Sequence, residues 1–191
     1  TRPVALVTGA AQGIGFETAR RLCATHRVAL LDLNAERLEQ ARRHCADDTL
    51  AVVCDIAEQD QVTAAVAEVA ELAGGIDVVF SNAGIGAGGS LRHLDPEVLE
   101  AIIDVNLIGN WRVIHAALPH VIERRGYVLA NASASALLPA IGIGHYAASK
   151  AGLEQLMNVL RAEVGHLGVD VGVSYFWFIA TDMVEGAERE M

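Results

Sequence analysis

The chain has 191 residues, 52% of them hydrophobic and 20% charged, so it can bury a sizeable core, and its length points to one domain. Fourteen Lys and Arg against 24 Asp and Glu give a formal net charge of -10 with no basic cluster, which excludes nucleic acid as an expected partner. No apolar run approaches the roughly 18 residues of a membrane span, so no membrane partner is expected either.

The first predicted strand, "VALVT" at 4–8, runs into "TGAAQGIG" and then into a segment with helical spacing at about 14–25. Gly9, Gly13 and Gly15 let the backbone turn tightly, and the amides and dipole of a helix N-terminus favour a pyrophosphate. In a strand-turn-helix setting the loop, with Gln12 and Ile14 among its glycines, reads as a nucleotide site. A glycine-rich turn alone would as readily serve only positive φ or close packing.

The second predicted strand, 27–33, ends in "LLDLN", which puts Asp32 and Leu33 at the same sheet edge. A carboxylate there can accept both adenosine ribose hydroxyls and repels a 2′-phosphate, so it selects NAD over NADP. Asn34 is as well placed as Asp32 to cap the next helix, 34–46, and Arg37 is the one nearby basic residue that offsets the preference. The third strand, 49–56, ends in "VCDI", where Asp55, with Ile56 beside it, is placed to accept from an adenine amino group. Beyond a helix over 58–73, the fourth strand, 76–84, ends in "SNAG". Asn82, Ala83 and Gly84 thus reach the edge where ligands gather in open α/β sheets.

A long helical segment, 95–124, follows. It carries Asn106, which on its own reads as a helix-kink or capping residue, and Trp111, which reads as core or subunit contact. The fifth strand, 126–133, ends at Ser133 in "NASAS", where Ser135 is a rival hydroxyl only if the loop shifts. "HYAASKAG" then opens a helix over 145–166 with Tyr146 and Lys150 at i and i+4, on one face. A phenol titrates near 10, so serving as a base at neutral pH requires a fall of roughly 3 units, about 4 kcal/mol. One ammonium at about 4 Å and an effective dielectric near 20 supplies about that much. An isolated tyrosine-lysine pair of this kind is most often an exposed pair on an amphipathic helix. Ser133, at the same sheet edge as the glycine loop, reverses that reading, because its hydroxyl can hold a substrate oxygen near the tyrosine. His145, directly before Tyr146, could border substrate, but a plain loop residue is its first reading.

The sixth strand, 169–176, completes an unbroken alternation of strands and helices. Near-continuous apolar strands belong to a parallel sheet covered on both faces. The fold class is therefore α/β: one doubly wound Rossmann fold over residues 1–191, with at least six parallel strands and helices on both faces. Cys23, Cys45 and Cys54 sit beside apolar residues and read as reduced, which favours a cytoplasmic location. Seven histidines are scattered without ligand spacing, so no metal is expected.

Jointly, "TGAAQGIG", Asp32, Asp55, "SNAG" (usually NNAG), the asparagine of "DVNLIG", Ser133 and "YAASK" resemble the motif set of the short-chain dehydrogenase/reductase family, over residues 4 to about 183. The resemblance implies an NAD-dependent oxidoreductase that transfers a hydride between a secondary alcohol, or its ketone, and nicotinamide. It implies Tyr146 as general acid/base, Ser133 as the group that polarises the carbonyl or alcohol, and Lys150 as the ligand of the nicotinamide ribose that also lowers the phenol pKa. Asn106 would hold a water that passes protons to the lysine, and Ile179 and Thr181 would meet the nicotinamide carboxamide. A homodimer or homotetramer built through 95–124 and 145–166 is implied as well.

Two features depart from the family pattern. Phe176 and Trp177 stand where a Pro-Gly pair is usual, and the sequence ends at Met191, which predicts a chain lacking the substrate-covering segment and the last strand. Two other functions fit the same fold. One is a catalytically silent NAD-binding or scaffolding protein, against which the Asn106, Ser133, Tyr146 and Lys150 set argues. The other is halohydrin dehalogenation, expected to lose the glycine loop and to carry arginine in place of Lys150. "ALLPAIGIG" at 136–144 and Trp177 suggest an apolar small-molecule substrate without naming it.

Overall fold

In a computed structural model, which describes residues 2–138 and 140–177, the apolar runs become the strands of one parallel sheet. The strands are β1 (Val4–Thr8), β2 (Arg27–Asp32), β3 (Leu50–Val53), β4 (Val78–Ser81), β5 (Tyr127–Asn131) and β6 (Asp170–Ser174). They lie in the order β3-β2-β1-β4-β5-β6, and Val7 of β1 sits opposite Leu30 of β2 on one side and Phe80 of β4 on the other. All five residues of β1 are buried, as a central strand with helices on both faces requires.

Alternate side chains of the strands serve two cores. On one face Leu6 and Val79 pack with α3 (Gln59–Ala73), α5 (Asn110–Arg124) and α6 (Gly144–Val164). On the other, Val7, Leu30 and Phe80 pack with Ala19 of α1 (Gly13–Leu22) and with Leu38 and Ala41 of α2 (Ala35–Arg43). Local chemistry fixes the helix ends. Asn34 caps α2 by accepting from the Arg37 amide, which settles the choice between Asn34 and Asp32 as cap. Asp95 caps α4 (Pro96–Ile103), which has proline at its start. α3 stops at Gly74, in the left-handed region at φ 80.

The strands are shorter than their apolar runs. Leu33, Cys54, Ile56, Ala83 and Ala132 lie beyond the sheet and line the cleft described below. Their apolar character serves that surface and, for Cys54 and Ile56, the core beneath it.

The predicted helix 95–124 is also not one regular helix. Between α4 and α5 the residues Asp104–Gly109 form a π-helical segment, a feature common at functional sites. The wider turn aims two fully buried asparagines at the loop after β4. Asn106 accepts from the Ile85 amide at 2.8 Å and donates to the Ile85 carbonyl at 2.9 Å. Asn110 accepts from Ser81 Oγ at 2.6 Å and donates to the Ala83 carbonyl at 2.9 Å. A buried carboxamide left unpaired costs about 1–3 kcal/mol, so these bonds offset the distortion of the helix. Trp111, just beyond, is half-buried against the core with its ring beside His115. No helix among the described residues is long and apolar enough to cross a membrane.

Candidate active site

The chain runs outward from β1 to β2 and β3, then crosses back to β4 on the other side of β1. At such a switch point the loops leaving the two central strands part, and a crevice opens at the C-terminal edge of the sheet. Here it is a cleft of about 330 Å³. Gly9, Asp32 and Asp55 line it, as do Asn82, Ser133, Tyr146 and Lys150.

At the glycine loop, Gly9 has φ 62, and a Cβ there would lie 2.9 Å from the Ala83 backbone. Gly13, at φ 55, begins α1. No side chain caps the first turn of α1 and no acidic residue lies in it, so its amides are open to an anion. Gln12 and Ile14 line the cleft, and the Gln12 carboxamide oxygen accepts from Arg37 instead of capping the helix. Gly15 does not line the cleft. A Cβ there would fall 2.1 Å from the Gly9 carbonyl, so its task is to let α1 press against the loop.

Asp32 ends β2 with Oδ2 accepting from the Ala11 amide at 3.1 Å and Oδ1 from the Asn34 amide at 3.0 Å. A carboxylate has about four acceptor sites, so each oxygen can still take a hydroxyl. Leu33 and Ile56 flank this end of the cleft. Asp55 accepts from the Ala57 amide at 2.9 Å through Oδ1. Asn82 donates to the Thr8 carbonyl at 3.1 Å, while Thr8 Oγ1 accepts from the Asn82 and Ala83 amides, so the ends of β1 and β4 are tied together.

At the far end, Ser133 follows β5 and Tyr146 and Lys150 come from α6. Ser133 Oγ accepts from the Ser135 amide at 3.2 Å and from Ser135 Oγ at 2.9 Å, while its own hydroxyl bonds to the Tyr146 phenol. Ser135 therefore supports Ser133 and does not replace it. Lys150 is buried, and its Nζ donates to the Asn131 carbonyl at 2.8 Å. Burial brings the ammonium down to about 8.

The Tyr146 phenol differs from the sequence expectation. Burial pushes its pKa up, and the neighbouring Ser133 hydroxyl offsets only part of this. Lys150 Nζ lies 5.7 Å from the centre of the tyrosine ring and is held by a carbonyl, so desolvation outweighs its charge.

Asn106 does not line the cleft. Its amide nitrogen also donates to Ser149 Oγ at 3.1 Å, and Ser149 in turn donates to the Tyr146 carbonyl at 2.7 Å. Gly84 keeps a gap open between Asn106 and Lys150, since a Cβ there would sit 3.0 Å from Asn106 Oδ1 and 3.4 Å from Lys150 Nζ. Ile179 and Thr181 lie outside the described residues.

Sequence reasoning missed Asn131, Ser149 and Asn110. Asn131 donates to Asn82 Oδ1 at 2.9 Å, besides holding Lys150 through its carbonyl. Like Ser133, it is a polar residue where an apolar strand ends, and that signal was available. Ser149 lies unremarked inside "YAASK", yet it is the hydroxyl that joins Asn106 to the backbone of Tyr146. Trp177 and Phe176, the departures from the usual Pro-Gly, both line the cleft.

Residues 3–191 match the short chain dehydrogenase family. The chain is 36% identical to 2-(R)-hydroxypropyl-CoM dehydrogenase of Xanthobacter autotrophicus, over 95% of this chain and 76% of that protein. Among solved structures it is similar to levodione reductase, with a TM-score of 0.94 at 28% identity, covering 98% of this chain and 76% of the other. The 3-ketoacyl-(acyl-carrier-protein) reductase from Brucella melitensis, complexed with NADH, gives a TM-score of 0.93 at 27% identity over 96% and 78% of the two chains. The chain belongs to the short-chain dehydrogenase/reductase family, oxidoreductases on a Rossmann fold that use a nicotinamide cofactor.

Proposed function

We propose that this protein transfers a hydride between a secondary alcohol, or its ketone, and NAD, with Tyr146 as general acid/base. The observation that carries the proposal is a single cleft with Gly9 and Asp32 at one end and Ser133, Tyr146 and Lys150 at the other. The residues present fit a dinucleotide. The uncapped first turn of α1 suits a pyrophosphate, and the spare acceptor sites of Asp32 suit ribose hydroxyls. Asp55, Ile56, Asn82, Ala83 and Gly84 line the path between the two ends, and Ile179 and Thr181 belong to the same proposal.

When bound, oxidised NAD supplies the hydride acceptor and a positive ring that favours an anion nearby. The chain supplies the proton chemistry. Ser133 turns its hydroxyl proton from the Tyr146 phenol to the substrate oxygen and fixes it beside Tyr146. Tyr146 takes the hydroxyl proton in oxidation and returns one in reduction. Lys150 presents a buried cation that favours the phenolate and offers its remaining protons to a ribose. Asn106 and Ser149 hold the backbone of Tyr146 in place, and the gap at Gly84 leaves room for a water between Asn106 and the lysine.

The substrate is proposed to be apolar, because Trp177 lines the cleft and Leu137, Leu138 and Ile141 are exposed in the segment leading to α6. Residues 1–191 are proposed as one catalytic domain of a cytoplasmic homodimer or homotetramer, supported by partly exposed Leu99, Ile108, Leu156 and Val159 on the helices that would meet.

The cofactor choice is tested by titrating NADH and NADPH calorimetrically. NADH is expected to bind at least about tenfold more tightly, since the 2′-phosphate would meet the Asp32 carboxylate with Arg37 as the only offset. Asp32→Asn keeps a polar group at the loop while removing the charge, and it should narrow the gap. Equal affinities in the parent would sink the assignment to NAD.

A further inference from the structure

The loop leaving the cleft after Gly84 reads "IGAGGS" at 85–90, and its glycines lose more conformational freedom on ordering than any other residue. Such a segment holds one position only if it is tied. At its start, Ile85 lines the cleft and is bonded to Asn106 through both its amide and its carbonyl. Beyond Ile85 three ties run to the segment that opens α6. The Gly89 amide donates to the Gly142 carbonyl at 2.9 Å, and Leu91 lies so close over Gly144 that a Cβ there would be 2.8 Å from Leu91 Cδ1. The third tie is a side chain, His145 Nε2, 2.7 Å from the Ala87 carbonyl.

His145 is not the plain loop residue its sequence position suggests. It sits in the first turn of α6, 1% exposed, directly before Tyr146. A carbonyl only accepts, so Nε2 carries the ring proton and Nδ1 is left as a bare acceptor. That Nδ1 is buried and finds no partner among the described residues. An unpaired buried acceptor carries a desolvation cost that a leucine of similar size would avoid. What the imidazole provides in return is the bond to Ala87.

From this geometry we infer that His145 is a positioning residue that sets substrate selection: it fastens the loop carrying Ile85 to the helix carrying Tyr146, and so fixes the width of the cleft beside the reacting groups. This inference rests on the proposed role of Tyr146 for its consequence in catalysis, but the clamp itself can be tested without turnover.

The experiment compares the parent with His145→Leu, which removes the donor, and His145→Gln, whose amide nitrogen can replace Nε2. Hydrogen exchange is measured over 85–90, and steady-state kinetics over secondary alcohols of increasing bulk. In the leucine variant, exchange at 85–90 should rise about tenfold, as expected for loss of a buried hydrogen bond, with the rest of the sheet unchanged. KM should rise about tenfold for the parent's preferred alcohol, kcat should fall less, and the preference by bulk should flatten. The glutamine variant should return exchange and KM towards the parent. Unchanged exchange at 85–90 in the leucine variant overturns the clamp, as does exchange raised across the whole sheet or a glutamine variant that rescues nothing. Raised local exchange with an unaltered bulk preference overturns the role in selection. A parent that oxidises no alcohol would contradict the Tyr146 proposal, and the exchange result would still decide the clamp.

Discussion

Replacing Tyr146 with Phe is expected to lower turnover by about 10² to 10⁴ fold while leaving NADH affinity within about twofold of the parent. The substitution removes one oxygen and its proton. The ring remains in its partly buried place, the Ser149 bond to the Tyr146 carbonyl is untouched, and Ser133 keeps its support from Ser135. The transferable proton is lost, together with the phenol's bond to the Ser133 hydroxyl.

The pH dependence follows from the direction of the phenol's shift. Burial raises the Tyr146 pKa, so the base form needed for alcohol oxidation accumulates only as pH rises, and oxidation should accelerate with pH. The acid form needed for ketone reduction is present below that pKa and is lost above it, so reduction should slow as pH rises. In the phenylalanine variant both profiles should flatten. Stopped-flow rates over a pH series decide the matter: a variant that keeps most of the parent rate, with the parent's pH profile, rules Tyr146 out as the acid/base.

Lys150→Ala should behave differently, with cofactor affinity and turnover falling together. The parent's Nζ is buried and bonded to the Asn131 carbonyl, and the proposed ribose contact would use its remaining protons. Loss of a hydrogen bond to a charged group is worth about 1.5–3 kcal/mol, so NADH affinity should fall by roughly tenfold to a hundredfold. Turnover should fall further, because the cation that favours the phenolate is gone, and residual oxidation should shift to higher pH. Burial brings the parent's ammonium down to about 8, so its help to the phenolate is present below that value and fades above it. The variant's deficit in oxidation should therefore be largest at neutral pH and shrink in alkali. Fluorescence titration of NADH with parallel kinetics checks this. A fall in turnover with affinity intact would remove the ribose contact from the proposal.

Much of the fold was legible because parallel strands buried on both faces read as apolar runs and their alternation with helices implies a parallel sheet; the order β3-β2-β1-β4-β5-β6 was not among the expectations. The ends of the strands were not legible. Leu33, Cys54 and Ala132 line the cleft past the strand ends, and hydropathy alone cannot separate lining from pairing. The π-helical segment was also hidden, since Asp104–Gly109 has ordinary helical spacing and the interruption arises from contacts of Asn106 and Asn110 with a loop far away in sequence. The gathering of Ser133, Tyr146, Lys150 and Asp32 in one cleft followed from strand ends and helix periodicity. The direction of the phenol's shift did not, because spacing supplies the distance between two charges and says nothing of how much water each has lost. His145 was undervalued for a related reason: its partner is a main-chain carbonyl, and a backbone contact leaves no mark on the sequence pattern.

Hydride transfer itself is tested most directly with a secondary alcohol bearing deuterium on its carbinol carbon, incubated with the full chain and oxidised NAD, and mass analysis of the dinucleotide. The predicted result is a reduced dinucleotide that retains the deuterium, formed by the parent and formed far more slowly by Tyr146→Phe. A reduced dinucleotide without the label, or alcohol consumed with no reduced dinucleotide at all, would contradict it.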